Sequence, residues 1–289
     1  MSDFLLSILL GVVEGLTEFL PVSSTAHLRI VEAVLRLDLH DAFWKMYTIV
    51  IQLGAILALP VYFWNRLVKF LSTFPRGERG DRNLVTHPLS LTLVAFVVTA
   101  LPSWALTKVI GKNLENLWVI SLALLVGGIV MWIVDVMFTR PRVTHMEEMR
   151  LAQAIWIGAC QILSAVFPGT SRSMSTIAAG QIVGMSRPAA LEFSFFLSMP
   201  TMAVATLYDL YKTLKPGRDT ALEGNIAPLA VNAHQWVVLA IGFVVSFFVA
   251  LAVVAWFMQW VRTRGFVPFA VYRIVVGIIV VAAMIFGLM

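Results

Sequence analysis

The sequence predicts an all-α polytopic membrane protein with an inverted-topology repeat. It has six transmembrane helices plus two re-entrant helical hairpins that meet near the membrane midplane. Three observations lead there. The 289 residues are 60% hydrophobic and only 13% charged, about half the charge of a soluble domain, with a mean hydropathy of +0.88. Six apolar runs are long enough to cross a bilayer, which takes about 20 residues each. Two further apolar stretches are interrupted by polar, helix-breaking centres and are copies of each other.

The composition excludes a disordered chain and an ordinary soluble enzyme. One cysteine, Cys160, excludes a disulfide framework, and no Cys/His cluster has zinc spacing. The net charge of +5 does not indicate nucleic acid, because Lys and Arg sit in short loops between apolar runs, as topology determinants do. The N-terminal stretch has an Asp, no basic residue ahead of its apolar run and no small-residue cleavage site, so it reads as mature protein.

The spans fall at 43–64, 88–110, 116–138, 189–211, 235–260 and 266–288, and the broken stretches at 4–36 and 151–186. The breaks are PVSST at 21–25 and PGTSRS at 168–173. Irregular backbone at membrane depth is tolerated only inside protein or along a cavity. GVVEGLTEFLPVSS at 11–24 aligns without gaps on GACQILSAVFPGTS at 158–171, an offset of 147 that pairs Gly11 with Gly158, Pro21 with Pro168 and Ser24 with Ser171. Gly128 falls on Gly277 at offset 149. Each half, about 1–140 and 148–289 of one integral membrane domain, is then a hairpin plus three spans. Three is odd, so the second half enters the membrane inverted, the arrangement that places a site near the midplane.

The basic residues orient the chain. Arg66, Lys69, Arg76, Arg79, Arg82, Arg140, Arg142, Arg150, Arg187, Arg262 and Arg264 fall in one set of loops; Arg36, Lys45, Lys108, Lys112, Lys212, Lys215 and Arg218 fall in the other. Eleven against seven makes the first set cytoplasmic and places both termini outside.

Polar groups gather at the breaks: Glu14, Glu18 and His27 at the first, Arg172 at the second. A charged residue at mid-helix costs about 2.5–3.5 kcal/mol on insertion scales, so such groups face a hydrated cavity and one another. Glu14 and Glu18 are four apart on one helix face, with Cβ atoms about 6 Å apart. Two carboxylates that close take up a proton or hold a cation, and all-oxygen ligation suits Mg²⁺ or Ca²⁺. The Ser/Thr pairs after each Pro, Ser23-Ser24 and Thr170-Ser171, cap the second half-helices. Each half-helix N-terminus is then an anion site, and Arg172 adds a fork suited to phosphate. His27, three residues after Ser24, could orient it or act as its base. His40, His87, His145 and His234 fall in loops. Arg273 and Glu192 lie near span borders and read as structural pairs. Trp44, Trp64, Trp118 and Trp260 read as interfacial anchors, and Gly180 and Gly184 as close helix packing.

EGLTEFLPVSSTAH at 14–27 and PGTSRSMSTI at 168–177 resemble the two signatures of the undecaprenyl pyrophosphate phosphatase family of bacterial membranes, which is associated with bacitracin resistance. VIQLGAILA at 50–58, EFSFFLSMP at 192–200 and VPFAVYR at 267–273 extend the resemblance nearly end to end. The departures are Ala26, where Gly often stands, and Met174-Ser175, where small residues often follow. The resemblance implies a hydrolase acting on the diphosphate anhydride of undecaprenyl or another polyprenyl diphosphate, which recycles the lipid carrier of cell-wall synthesis. It implies a divalent cation, Mg²⁺ or Ca²⁺, on Glu14 and Glu18, and Ser24 as nucleophile with His27 beside it. Arg172 would bind phosphate, with Ser23, Thr170, Ser171, Ser173 and Thr176 as supporting donors. It also implies the bacterial inner membrane, with the site open to the periplasm or exterior. Partners are the lipid substrate and membrane lipids, with no nucleic acid; a homodimer is compatible with a sequence that sets no oligomeric state. Attack by Ser24 and by an activated water both fit the residues. The alternative function is a transporter or flippase for an anionic lipid headgroup, which the repeat also suits but which has no use for a Ser24–His27 pair.

The parity of the repeat is directly testable. Single cysteines placed in loops 66–87 and 212–234 of intact cells should label from opposite sides of the membrane; labelling of both from one side contradicts the inversion.

Overall fold

The computed structural model describes residues 2–35, 37, 42–78, 80–107, 110, 116–214 and 231–287. Eleven α-helices occur among them: α1 (Asp3–Thr17), α2 (Ser24–Leu35), α3 (Ala42–Tyr62), α4 (Trp64–Thr73), α5 (Pro88–Ala105), α6 (Leu117–Met137), α7 (Leu151–Val166), α8 (Arg172–Ile182), α9 (Arg187–Leu214), α10 (Ala233–Thr263) and α11 (Val267–Ile285). A single 3₁₀ turn lies at Met146–Glu148. No strand forms among the described residues apart from one isolated bridge, Val143 to Met185. Six helices, α3, α5, α6, α9, α10 and α11, are long and apolar enough to span a membrane. They fall on the six runs expected, and their outward faces carry exposed Leu93, Leu101, Val136, Phe248 and Ile279, as a lipid-facing surface requires. The chain is a multi-pass membrane protein.

The two broken stretches are the pairs α1/α2 and α7/α8. Pro21 and Pro168 lie in the gaps, where a proline removes a donor and disfavours helix at the residue before it. α4 is a helix that the sequence reading treats as loop. Its charges alternate with apolar residues, so that Trp64 and Leu71 are exposed, Arg66 is half-buried, and Phe70 is buried against Phe196. Arg36, Arg79, Lys108, Lys112, Lys215, Arg218 and His40 lie outside the described residues.

Glycine sets the closest crossings, and they come in matching pairs. A Cβ on Gly11 would meet Gly242 O of α10, and one on Gly158 would meet Ala95 O of α5; both members of the pair differ by 147. On α6 and α11, Gly128 abuts Ala270 and Ile274 while Gly277 abuts Ser121 and Leu125, each pair differing by 149. Gly180 packs on Ala190 as expected, whereas Gly184 has φ +87°. It serves a turn rather than a helix contact, its carbonyl accepting from the N–H groups of Arg142 and Val143.

Several loops meet at one end of the helices. Arg66 bonds Glu192 at 2.8 Å and Glu147 at 2.6 Å. Burial works against the Arg66 charge, but the two carboxylates outweigh it and push its pKa up. Asp135, 1% exposed at the end of α6, accepts from Arg187 Nε at 2.6 Å, Gln181 at 3.1 Å and Phe266 N–H at 2.8 Å. Loops 62–88, 138–151 and 183–187 and the α10/α11 turn therefore share a face. Asp3 and His234 bond at 3.0 Å, tying the start of α1 to the start of α10. Trp64 and Trp118 are exposed, while Trp44 and Trp260 are half-buried in aromatic clusters.

Asp135→Ala strands the Phe266 N–H and the buried Gln181 amide, each buried donor costing roughly 1–3 kcal/mol. The variant should unfold in detergent at a lower temperature than the parent, by a thermal-shift assay, while each folded molecule retains its activity.

Candidate active site

The two breaks meet. The first turn of α2 is built on Ser23, whose hydroxyl accepts from Ala26 N–H at 3.3 Å and whose carbonyl accepts from His27 N–H at 3.3 Å. The first turn of α8 is built the same way on Ser171, which caps Met174 N–H at 3.3 Å and bonds Ser175 N–H at 3.0 Å through its carbonyl. Among the described residues these two serines are the only non-glycine positions with positive φ, +74° and +69°, a conformation of order 1–3 kcal/mol above the usual ones. The caps differ by 148, not by the 147 of the gapless alignment. The second break holds one more residue between its Pro and its cap, so Ser24 is equivalent to Arg172 and His27 to Ser175.

Ser24 and Arg172 are thus the first residues of two facing half-helices, and both engage Glu18. Ser24 Oγ donates to Glu18 Oε2, and Arg172 Nη2 donates to Glu18 Oε1 at 3.0 Å. Glu18 closes α1, its N–H bonded to Glu14 O, so Glu14 lies one turn back on the same face. The two carboxyls are buried side by side, an arrangement relieved by a shared proton or by a cation. All of these groups are buried: Glu14 is 1% exposed, Glu18 7% and Ser24 8%. Ser173 is directed at the same place, with its hydroxyl 3.5 Å from Glu18 O.

The remaining expected residues are placed differently. His27 uses Nδ1 on Ser23 O at 2.7 Å and Nε2 on the Tyr272 hydroxyl at 2.7 Å, its ring stacked on Tyr272 at 5.6 Å. Since a carbonyl only accepts, Nδ1 carries the proton and Nε2 accepts from Tyr272. His27 is therefore bonded to the cap before Ser24 and not to Ser24 itself. Thr176 gives its hydroxyl to Arg172 O at 2.9 Å and pairs with Ser194 of α9 at 2.7 Å. Thr170 lies at the edge of an apolar groove with Phe167 and Met174.

Arg273 is the residue whose importance the sequence reading missed. Its place in the sequence predicts a structural pair at a span border, as for Glu192, which does pair with Arg66. Arg273 is instead fully buried and bonded to backbone alone: Nη1 to Pro21 O at 3.0 Å, Nη2 to Gly169 O at 3.0 Å and to Ala123 O at 3.1 Å. It ties one break to the other. A Cβ at Gly127 would strike its guanidinium. The signal available in the sequence was a lone charge inside an apolar run.

Arg273 Nε has no partner among the described residues, and neither do two buried atoms beside Glu18, Glu14 Oε1 and Arg172 Nη1. One is an acceptor beside a second carboxylate; the other is a cationic donor. No third His, Cys, Asp or Glu joins Glu14 and Glu18 among the described residues. A two-carboxylate site fits a hard cation that completes its shell with phosphate oxygens and water, as Mg²⁺ does.

The chain is similar to known proteins along its whole length. It is 65% identical over 283 residues to an undecaprenyl-diphosphatase of Koribacter versatilis, covering 98% of each chain. It is 38% identical over 280 residues to an undecaprenyl-diphosphatase of Caldanaerobacter subterraneus, covering 96% of this chain and 95% of that one. An undecaprenyl-diphosphatase of Lactobacillus delbrueckii is 37% identical over 282 residues, 97% of each. The family described as bacitracin resistance protein BacA matches residues 7–279, and with two breaks sharing one carboxylate inside that span, the chain belongs to the BacA family.

Proposed function

We propose that the junction of the two breaks is where this chain hydrolyses undecaprenyl diphosphate to undecaprenyl phosphate and inorganic phosphate. The observation that carries the assignment is Glu18, a buried carboxylate held between the Ser24 hydroxyl and the Arg172 guanidinium. A base, a nucleophile and a phosphate-binding cation are thereby within one hydrogen-bond shell.

In the first step Ser24 Oγ attacks the terminal phosphorus and the bond to the bridging oxygen breaks. Glu18 takes the serine proton and passes it to the departing lipid phosphate. In the second step Glu18 deprotonates a water that attacks the phosphoserine; the proton returns to Ser24 Oγ and inorganic phosphate leaves. Arg172 Nη1 and the first-turn N–H groups of α2 and α8 stabilise the charge that builds on the phosphoryl oxygens. Ser23 and Ser171 hold the two turns, Ser173 and Thr170 border them, and Thr176 anchors α8 to α9. His27 fixes the Ser23 carbonyl, and through it the turn that presents Ser24. A divalent cation, Mg²⁺ or Ca²⁺, would be held by Glu14 and Glu18, and when bound it neutralises phosphate charge. One chain supplies every group, so a homodimer adds nothing the reaction requires.

The same reading takes the chain as one integral membrane domain of two inverted repeats, 1–140 and 148–289, each a re-entrant hairpin and three spans. The matching glycine crossings support it. So does the start of α1 beside His234 while α7 starts near Val183, to which Gln153 bonds, at the end where the arginine-bearing loops meet. The excess of basic residues at that end supports a cytoplasmic placement in the inner membrane, with the junction reached from the periplasm.

Phosphate release by the detergent-purified protein tests the function and separates it from headgroup transport. Arg172→Ala and Glu18→Gln should each lower kcat about 10²–10⁴-fold with no loss of monodispersity, and EDTA should abolish turnover that Mg²⁺ restores. Near-normal release by Arg172→Ala would sink the assignment. Ser24→Ala should abolish the acid-stable phosphoserine trapped by quenching; phosphate release that persists in that variant would assign attack to water.

A further inference from the structure

The equivalence of the two halves extends beyond the junction, and it fails at one place. Between α6, the last span of the first half, and α7 and α8 of the second lies an apolar groove of about 520 Å³. Val126 and Val130 of α6, Leu163 of α7 with Phe167 just past its end, and Ala178 and Ile182 of α8 line it. These positions recur every three or four residues, so each helix contributes one stripe along the groove. It begins at Thr170, two residues before Arg172, and follows α6 from Val119 to Val130 toward the Asp135 end. At 1.5 Å per residue that is roughly 17 Å, about half of the ~30 Å hydrocarbon thickness.

The offsets that match the crossings map this groove onto the place between α11 of the second half and α1 and α2 of the first. There Tyr272 is equivalent to Ala123 and His27 to Ser175. Where the groove has these small lining residues, its counterpart has two rings bonded at 2.7 Å and stacked nearly parallel at 7°. One path is lined by small side chains and the other is crossed by a side-chain pair.

We propose that the open groove holds the prenyl chain of the substrate next to its diphosphate, and that the His27–Tyr272 pair bars the equivalent path, so lipid reaches the junction from one side. The proposal rests on the hydrolysis proposed above and adds where the tail lies. The occupant follows from continuity with the junction. A groove that is apolar along its length and ends beside a phosphate-binding arginine fits an amphiphile with an anionic head and a hydrocarbon chain. A free phosphate ester has no use for the groove, and an ordinary bilayer lipid has no diphosphate to place beside Arg172.

The test compares long and short substrates. Val126 is exposed and lines the groove; Val275, its equivalent on α11, is exposed on the closed side. Val126→Trp should lower kcat/KM for undecaprenyl diphosphate roughly tenfold more than for dimethylallyl diphosphate, whose short chain ends before Val126, the equivalent of about two CH₂ groups kept from burial. Val275→Trp should leave the ratio of the two substrates as in the parent. Equal losses on both substrates in Val126→Trp, or no loss, overturn the proposal.

A second measurement reads occupancy without turnover. Cys160, the chain's one cysteine, lines the groove. In nanodiscs, undecaprenyl phosphate should slow its alkylation by N-ethylmaleimide several-fold, and inorganic phosphate should not. Unchanged alkylation with undecaprenyl phosphate overturns the groove assignment even if hydrolysis is intact. Protection of Cys160 in a protein that releases no phosphate would keep the groove and reject the hydrolysis.

Discussion

A backbone that leaves helix in a buried interior has carbonyl groups and no water to meet them, and Arg273 is the answer to that constraint. Its guanidinium donates to Pro21 O, Gly169 O and Ala123 O, so the carbonyls freed at both breaks end on one cation. An unmet buried acceptor costs about 1–3 kcal/mol, and a buried charge without hydrogen bonds costs far more. Each cost offsets much of the other, with Arg273 Nε left over. The arrangement also sets distance: with both breaks on one planar group, the Ser24 and Arg172 turns are held near a single carboxylate. Gly127 has no side chain because the guanidinium occupies that space.

The caps do related work nearer the chemistry. Ser23 and Ser171 keep strained backbone because each hydroxyl satisfies a first-turn N–H and turns the next residue toward Glu18. Strain of this kind persists only where neighbouring contacts over-determine it. Here the contacts are the arginine clamp from behind and the shared carboxylate in front.

Much of this was legible in the sequence. The six spans are long, apolar and separated by charge, so their existence was plain and only their ends moved. The breaks were visible because Pro, Ser and Thr interrupt apolar runs, and Glu14, Glu18, Ser24 and Arg172 stood out as polar groups in the wrong solvent. What could not be read was register. A gapless alignment pairs Ser24 with Ser171, and only the cap bonds reveal that the second break carries an added residue. Direction was also hidden: spacing allowed His27 to reach Ser24, but a ring has two nitrogens and packing across 245 residues gave one of them to Tyr272. α4 escaped because a short amphipathic helix resembles a basic loop in composition.

The shifted register has a consequence for how such a protein can arise. Equivalent positions across the junction carry unlike groups: Ser24 faces Arg172, Glu18 corresponds to Ala165, and Glu14 to Gln161. Two identical half-length chains crossing in opposite directions would instead set carboxylate against carboxylate and guanidinium against guanidinium. An association of that kind could bind a membrane, but it could not assemble an acid, a nucleophile and a cation around one phosphorus. On the proposed two-repeat reading, a single polypeptide frees each half to diverge from the other, and the proposed chemistry draws on that divergence.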